Sequence, residues 1–467
     1  MTYAALPYPL RPCPFTPLDQ FSSPHYVPII LFYAAAAPLG DCPTEGNQVD
    51  DIDHRSNRLK RSLSETLTQF YPVAGRIKDS SSVDCNDEGI DYYETRIHGK
   101  MSAFMTRPRE HHHLLPCHIA SNILAKDAQL AVQVNVFACG GTAISFCMSH
   151  KIADASSMTT FINDWAATNR GSTKTLSPTF KSAFLFPPRE ILNTLAVPGP
   201  DTHGIDNRTI GDVNKAVVTK RFVFDASMIA ALRAKIQNTS TPRVGYFPSR
   251  VEAVSALIWK SFMEMSKVKK LKIESSSLRK PVKCMVVHHT VSLRKRMDPL
   301  LADRSFGNMI TLATAVASPT MLMAKQVDVE ELVRQLRAAI SKINGDYIKK
   351  LQSGGDDDEE FLRLVNESGR FAKKVNNGDE VTDHNDDSDD DHEVYWMGSW
   401  CRFPLYESDF GWGKPVMVSS YQSYKNVVIM IDTSCGDGIE AWVSLVEDDM
   451  AVFERDAQLL EFASTIC

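Results

Sequence analysis

Two strands followed by a helix, between residues 130 and 169, constrain the fold more than any other feature of the sequence. Valine alternates with polar residues in AVQVNVF, which predicts a strand with one buried face. A Cys-Gly-Gly turn at 139–141 then leads into a second apolar strand, TAISFCM. From Ser156 onward, apolar residues recur at helical spacing. Strand and helix periods side by side predict packed layers of sheet and helix, which is an α/β fold.

Strands and helices are mixed in both halves of the chain, and its 467 residues are enough for two or three domains of about 150 residues each. The stretch from about 172 to 220 is rich in Pro, Gly, Thr and Asn, which is typical of a linker. We therefore predict an N-terminal domain over 1–195, a linker over 196–220 and a C-terminal domain over 221–467.

The net charge of −6 is distributed unevenly along the chain. Residues 356–393 contain 15 acidic and 4 basic side chains, so this segment carries −11 and the remaining residues about +5. We expect the segment to be a solvated acidic insert in the C-terminal domain, because it is poor in aromatic residues. A mildly basic body is compatible with an anionic small molecule, and we expect no nucleic-acid partner.

The sequence lacks an apolar signal-peptide core and an 18-residue apolar run, so we expect a cytoplasmic protein without a membrane span. We expect no metal site, because the ten cysteines show no zinc spacing and three consecutive histidines at 111–113 indicate a solvated loop. Residues 436–441 match a G-x-G-x-x-A pattern, but without a surrounding β-α-β unit they do not indicate a dinucleotide site.

The segment Ser149-His150-Lys151-Ile152-Ala153-Asp154 places a histidine where the second strand ends and the helix begins. A side chain there can project into a cleft, and imidazole titrates near neutral pH, so His150 is a candidate general base. The alternative is a structural histidine held by hydrogen bonds. Asp154 either faces His150 or anchors the turn through an arginine, and the spacing leaves both roles open.

A second motif, Asp409-Phe410-Gly411-Trp412-Gly413-Lys414-Pro415, combines two glycines and a proline with aromatic residues. These residue types are typical of a rigid turn with a buried aromatic anchor. We expect Asp409 to form an ion pair or to cap the turn rather than to catalyse. Gly411, Trp412 and Gly413 are likewise predicted to be structural.

Taken together, the H-x-x-x-D and D-F-G-W-G motifs resemble those of the plant BAHD acyltransferases. Further blocks match in the same order: Thr16-Pro-Leu-Asp-Gln20, Tyr71-Pro-Val-Ala-Gly-Arg76, SRVEAVSALIWK at 249–260, VSLRKRMDP with Gly307-Asn308, and Gly436-Asp-Gly-Ile-Glu440. SHKIADASSM and FPLYESDFGWGKP are most similar to the branch that acetylates alkaloid alcohols. The resemblance implies two chloramphenicol-acetyltransferase-like domains of mixed sheets flanked by helices, with an active-site channel between them.

The resemblance also implies roles for single residues. His150 would take the proton of the acceptor hydroxyl, whose oxygen attacks the thioester directly in a ternary complex. Trp400 would stabilise the oxyanion of the tetrahedral intermediate, with Ser399 as a weaker candidate. A buried core aromatic is an equally good interpretation of Trp400.

By the same resemblance, Asp154 would be structural and paired with Arg294. Ser255 and Asn308 lie in blocks that border the cleft of relatives, which makes them candidate coenzyme A contacts. The alternative for both is an ordinary position in a helix or a turn.

We therefore predict an acetyl-CoA-dependent O-acetyltransferase that acts, as a monomer, on a hydroxyl of a benzylisoquinoline-derived alkaloid. Acetyl-CoA is the expected co-substrate, and no permanently bound cofactor is expected. One alternative is an acyltransferase of the same fold that uses another acyl-CoA or a non-alkaloid alcohol. Another is a catalytically inactive paralogue that binds small metabolites.

Overall fold

The structure is a computed structural model that describes ten segments of the chain. They are residues 12–35, 45–119, 126–172, 177–194, 216–238, 247–273, 284–297, 304–353, 361–362 and 392–466. Most of the predicted linker over 196–220 and of the predicted acidic insert over 356–393 lies outside the described residues.

The described residues form strands and helices in alternation. The strands are β1 (Cys13–Pro14), β2 (Tyr26–Tyr33), β3 (Arg76–Asp79), β4 (Ser82–Asp84), β5 (Asp91–Ile97), β6 (Leu130–Phe137), β7 (Thr142–Ser149), β8 (Val217–Phe224), β9 (Cys284–Ser292), β10 (Ile310–Ala317), β11 (His392–Ser399), β12 (Met417–Ser419), β13 (Val427–Asp432), β14 (Ile439–Val446) and β15 (Ser464–Ile466). The α-helices are α1 (Pro17–Phe21), α2 (Glu45–Gln69), α3 (Met101–Met105), α4 (Ala155–Asn169), α5 (Ser182–Leu185), α6 (Ile191–Thr194), α7 (Ala226–Asn238), α8 (Arg250–Ile273), α9 (Pro319–Met323), α10 (Val329–Ser341), α11 (Gly345–Gln352), α12 (Glu447–Phe453) and α13 (Ala457–Leu460). None of the helices in these segments is long and apolar enough to cross a membrane.

The chain divides into two compact units that are not continuous in sequence. The first comprises residues 1–197, 301–309 and 403–421, and the second comprises residues 198–300, 310–402 and 422–467. The predicted boundaries treated each domain as one continuous stretch. The structure differs, because β12 pairs with β2 and brings the segment around it back to the first unit. The DFGWG motif therefore lies in the first unit and not in a continuous C-terminal domain.

The main sheet of the first unit has five strands in the order β12-β2-β7-β6-β5. Antiparallel pairs join β12 through β6, and β5 runs parallel to β6, so the sheet is mixed. A smaller sheet has the order β1-β4-β3. The predicted hairpin between β6 and β7 is confirmed, and Gly140 in its turn adopts a φ of +80°, which favours glycine.

The prediction that β6 buries only one face is wrong. The strand lies between β7 and β5, and it is buried on both faces along most of its length. Its polar residues are satisfied inside the protein, since Gln133 donates to Asn135 Oδ1 at 2.8 Å and Asn135 Nδ2 donates to the Leu114 oxygen at 3.0 Å. The alternation in the sequence therefore reflects internal hydrogen bonds rather than exposure to water.

Helix α4 follows β7 directly, as the apolar spacing from Ser156 predicts. Its Trp165 is fully buried, meets Phe146 of β7 edge-on at 5.8 Å between ring centroids, and donates from Nε1 to Ser62 Oγ of α2 at 3.0 Å. These contacts hold α4 against β7 and α2, and the H-x-x-x-D motif spans the junction between β7 and α4.

The second unit is built on a seven-stranded sheet in the order β10-β9-β11-β13-β14-β8-β15. This sheet is also mixed, because β11 is parallel to both β9 and β13 while the other neighbours are antiparallel. Helix α8 packs on it with Phe262, whose ring stacks on Tyr395 of β11 at 4.1 Å. Two mixed sheets flanked by helices confirm the predicted fold class.

The residues from Val329 to Gln352 form two consecutive helices. Helix α10 ends at Ser341, and α11 begins after Asn344. The Asn344 side chain accepts a hydrogen bond from the Tyr347 amide at 3.0 Å, so it acts as a helix N-cap that starts the second helix.

Candidate functional site

His150 is the first residue after β7, and both of its main-chain polar groups are held by hydrogen bonds. Its N–H donates to the His25 carbonyl oxygen at 2.9 Å, and its own carbonyl oxygen accepts from Asn308 Nδ2 at 2.7 Å. The residue is half-buried, as a side chain at a strand end is expected to be. The fold therefore presents the imidazole from a fixed main chain without enclosing it.

A second histidine, which the sequence analysis missed, lies beside His150. The ring centroids of His25 and His150 are 5.2 Å apart, and the ring planes are tilted by 56°. Burial lowers the pKa of His25 well below its ordinary value, and the neighbouring His150 adds to that shift. His25 is thus neutral at physiological pH, and it does not compete for a proton that His150 takes up.

The residue after His150 ties the same turn to helix α1. Lys151 Nζ donates to the main-chain oxygen of Gln20 at 2.7 Å, and burial lowers its pKa to about 8. Its hydrogen bond reaches the Thr16–Gln20 block, which the sequence analysis quoted only for its resemblance.

Asp154 is almost completely buried, with 2% of its surface exposed. Its Oδ1 accepts a hydrogen bond from the Ser157 amide at 2.9 Å, which caps α4, and its Oδ2 accepts from the Met309 amide at 3.0 Å. These two bonds favour a structural role for Asp154. Arg294 is buried in the second unit, and its pairing with Asp154 stays a prediction.

The two candidate coenzyme contacts lie in different surroundings. Asn308 is fully buried, and its amide group donates to Asp19 Oδ1 at 2.9 Å as well as to the His150 carbonyl oxygen. Ser255 lies on α8 of the second unit, also fully buried, with its Oγ 3.4 Å from His289 Nε2. Both side chains thus take part in internal hydrogen bonds, Asn308 through its nitrogen, and their contact with coenzyme A stays a prediction.

Trp400 follows the last residue of β11 and is 7% exposed. Its amide donates to the Met430 carbonyl oxygen at 2.8 Å, which continues the pairing of β11 with β13. A buried ring at this position agrees with the core interpretation, and the oxyanion role of Trp400 or Ser399 stays a prediction.

The DFGWG motif forms a turn that is organised by its aspartate. Asp409 Oδ1 accepts hydrogen bonds from the amides of Gly411 at 2.7 Å and Gly413 at 2.9 Å. Both glycines have φ above +100°, a conformation that side chains other than glycine rarely adopt. The geometry is that of a capped turn, as the residue types predict.

Aromatic and cationic groups surround the Trp412 ring in this turn. Phe410 stacks on it at 5.7 Å between centroids, Tyr33 meets it edge-on at 6.1 Å, and Arg55 and Arg58 each lie 5.8 Å from its centroid. Every one of these contacts lies within the first unit, so they hold the returning segment against β2 and α2.

The histidine triplet differs from the expected solvated loop at its first residue. His111 is fully buried, shares a hydrogen bond with Ser419 Oγ at 2.7 Å through Nδ1, and donates from Nε2 to the Phe104 oxygen at 2.9 Å. His112 and His113 are exposed. Among the described residues, no group of three potential metal ligands comes together.

The G-x-G-x-x-A pattern lies in the turn between β13 and β14. These strands are antiparallel neighbours, and Asp432 lies opposite Ile439. The pattern belongs to a hairpin and not to a β-α-β unit, in agreement with its rejection as a dinucleotide site.

Comparison with known proteins connects this geometry to one family. A family model described as the Transferase family matches residues 2–460. The (13S,14R)-1,13-dihydroxy-N-methylcanadine 13-O-acetyltransferase of Papaver somniferum is 41% identical over an alignment that covers 96% of this chain and 93% of that protein. Salutaridinol 7-O-acetyltransferase, also of Papaver somniferum, is 39% identical, with 94% of this chain and 91% of that protein covered.

The fold has a matching crystal structure as well. That of vinorine synthase superposes with a TM-score of 0.72 at 31% identity, covering 99% of this chain and 96% of that chain.

Proposed function

The chain belongs to the BAHD family of acyl-CoA-dependent acyltransferases, and from this premise we propose that it transfers the acetyl group of acetyl-CoA to a hydroxyl of a plant alkaloid. It is an acyl-CoA-dependent O-acyltransferase, and acetyl-CoA is the co-substrate of the acetyltransferases in this family. The observation that carries the proposal is the similarity to two O-acetyltransferases, each of which acts on an alcohol. They are 41% and 39% identical to this chain over nearly its full length. The acceptor class is a benzylisoquinoline-derived alcohol.

In the proposed reaction, His150 acts as the general base. The imidazole takes the proton of the acceptor hydroxyl while that oxygen attacks the carbonyl carbon of the thioester. The carbon–sulfur bond then breaks, and the leaving thiolate of coenzyme A receives the proton from the imidazolium. The half-buried position of His150 and the neutral His25 beside it support this role.

Transfer is direct in this proposal and needs no acyl-enzyme, because none of the ten cysteines lies in a recognisable nucleophile motif. Burial raises the pKa of Cys401, the residue after Trp400, to about 12, and that of Cys13 to about 12. Such thiols are protonated at neutral pH and are poor nucleophiles. Two substrates that react within one complex avoid the entropy cost of a separate encounter.

The remaining assigned residues support this reaction in the proposal. Asp154 holds the start of α4 and pairs with Arg294, and the Trp400 indole N–H donates to the oxyanion of the tetrahedral intermediate. Ser255 and Asn308 border the coenzyme. The residues outside 356–393 carry a net charge of about +5, which favours binding of the negatively charged phosphates of coenzyme A.

The direct test is mass-spectrometric detection of acetylated product from purified protein, acetyl-CoA and a panel of benzylisoquinoline alcohols. We expect a product heavier by one acetyl group, together with release of coenzyme A. If acetyl-CoA were inert while benzoyl- or hydroxycinnamoyl-CoA reacted, or if only terpenoid alcohols were acylated, the donor or the acceptor class would be wrong. If none of the tested pairs of acyl-CoA and alcohol led to release of coenzyme A, the protein would be the catalytically inactive paralogue.

A further inference from the structure

Two sequence blocks that resemble those of the family meet behind His150. The first is Thr16–Gln20, which forms α1 and its N-cap, and the second is Gly307-Asn308. Asp19 of the first block and Asn308 of the second are joined by two hydrogen bonds, since Asp19 Oδ1 accepts from the Asn308 amide at 2.8 Å and from Asn308 Nδ2 at 2.9 Å.

Asp19 is a buried carboxylate that is surrounded by hydrogen-bond donors. Its other oxygen, Oδ2, accepts from the amide and the hydroxyl of Thr16, each at 2.8 Å. The residue is 5% exposed, and burial raises its pKa while these donors oppose the shift. Because all four partners donate, only a group with two acceptor oxygens satisfies them, and an amide does not.

The orientation of the Asn308 amide follows from its partners. Asp19 Oδ1 and the His150 carbonyl oxygen are both acceptors, so the Asn308 nitrogen must face them. The reversed amide would place an oxygen against two oxygens. Asn308 Oδ1 accepts no hydrogen bond from the residues that the structure describes, so the side chain acts here only as a donor.

The chain of contacts therefore runs from the Asp19 carboxylate through the Asn308 amide to the main chain of the candidate base. On its other side, the His150 amide is held by the His25 carbonyl oxygen at 2.9 Å. That bond continues the β2–β7 register, in which Tyr26 lies opposite Ser149, whereas the bond from Asn308 to the His150 carbonyl oxygen lies outside the strand pairing.

We propose that Asp19 and Asn308 are positioning residues, which fix the main chain of His150 and thereby aim its imidazole at the acceptor hydroxyl. This inference rests on the proposed role of His150 as general base. Asn308 bonds the carbonyl oxygen of His150, so the effect passes through the His150 main chain. A displacement of about 1 Å at a reacting group costs about 100-fold in rate, which sets the scale of the expected effect.

The test compares Asn308→Ala and Asp19→Asn with Thr16→Val as the matched control. Thr16 is as buried as Asn308 and bonds the same carboxylate, but it does so at Oδ2, away from His150. We expect kcat to fall by about 10- to 100-fold in both of the first two variants, and KM for acetyl-CoA to stay within about twofold of wild type in Asp19→Asn, whose side chain is not assigned to the coenzyme. We expect Thr16→Val to keep kcat within about threefold of wild type, although its melting temperature falls because the N-cap of α1 is lost.

A second readout is independent of turnover and therefore separates this inference from the proposed function. Hydrogen–deuterium exchange of the peptide that spans 148–152, measured well below the melting temperature, is expected to be at least about tenfold faster in Asn308→Ala and unchanged in Thr16→Val. If wild type acetylates no alcohol but this difference is present, the proposed function fails and the positioning contact stands.

Three results would overturn the inference: equal losses of kcat in all three variants, a loss confined to KM, or exchange at 148–152 that is the same in Asn308→Ala and in Thr16→Val. If Asn308→Ala yields no folded protein, Asn308→Ser replaces it. Serine retains one hydroxyl donor, so we expect the same pattern with a smaller fall in kcat, and an unchanged kcat would contradict the proposal.

Discussion

Replacing Asp154 with alanine tests whether this residue acts by holding the structure. The variant removes the N-cap of α4, which costs about 0.5–2 kcal/mol. It also leaves the Met309 amide without its acceptor in a buried site, which costs about 1–3 kcal/mol. We therefore expect Asp154→Ala to lower the free energy of unfolding by about 1.5–5 kcal/mol, and Asp154→Asn, which keeps one acceptor oxygen, by about 1–3 kcal/mol.

Urea unfolding followed by tryptophan fluorescence and circular dichroism measures these losses. Asp328→Ala is the matched control, because Asp328 caps α10 through one bond to the Glu330 amide at 3.1 Å and is exposed. We expect that control to lose about 1 kcal/mol. If Asp154→Ala lost no more than the control, the structural role of Asp154 would be refuted.

Three further predictions concern the turn at Asp409, the close approach at Gly75 and the burial of His289. Asp409→Ala leaves the two turn amides of its motif without their acceptor, and we expect a loss of about 1 kcal/mol in thermal unfolding; an unchanged melting temperature would contradict it. Gly75→Ala would place a Cβ 2.3 Å from the main-chain oxygen of Asp84, so we expect a loss of at least about 1–3 kcal/mol in urea unfolding, and a neutral result would refute this close approach. Burial lowers the pKa of His289, so below pH 6.5 the unfolded chain binds a proton that the folded chain does not, and stability falls as the pH falls. Melting temperatures between pH 7 and pH 5 should depend less on pH in His289→Gln, and an equal slope would disprove the assignment.

Local periodicity was sufficient to predict much of the fold. The hairpin of β6 and β7 and the helix after it have periods that span the whole element, so the sequence identifies these elements, although it does not reveal that β6 is buried on both faces. Strand β12 has only three residues, and a pattern this short carries no period. The return of residues 403–421 to the first unit therefore depends on a pairing with β2 across nearly four hundred residues, which local reasoning does not reveal.

The candidate site was predictable at its centre but not in its support. The strand-to-helix junction and the motif spacing identify His150 and Asp154 before any contact is known. Neither the junction nor the motif spacing predicts that His25, Asp19 and Asn308 lie beside it, because their contacts join positions far apart in sequence. His111 shows the same limit, since its burial depends on Ser419 of β12 and not on its histidine neighbours.

The role of His150 is tested most directly by the turnover of His150→Ala with acetyl-CoA and the acceptor identified by mass spectrometry. His112→Ala, at an exposed histidine, is the control. A general base contributes about 10²- to 10⁴-fold, so we predict a fall in kcat of at least that size in His150→Ala, with an unchanged melting curve and normal turnover in the control. Near-normal turnover in folded His150→Ala would contradict the proposed mechanism.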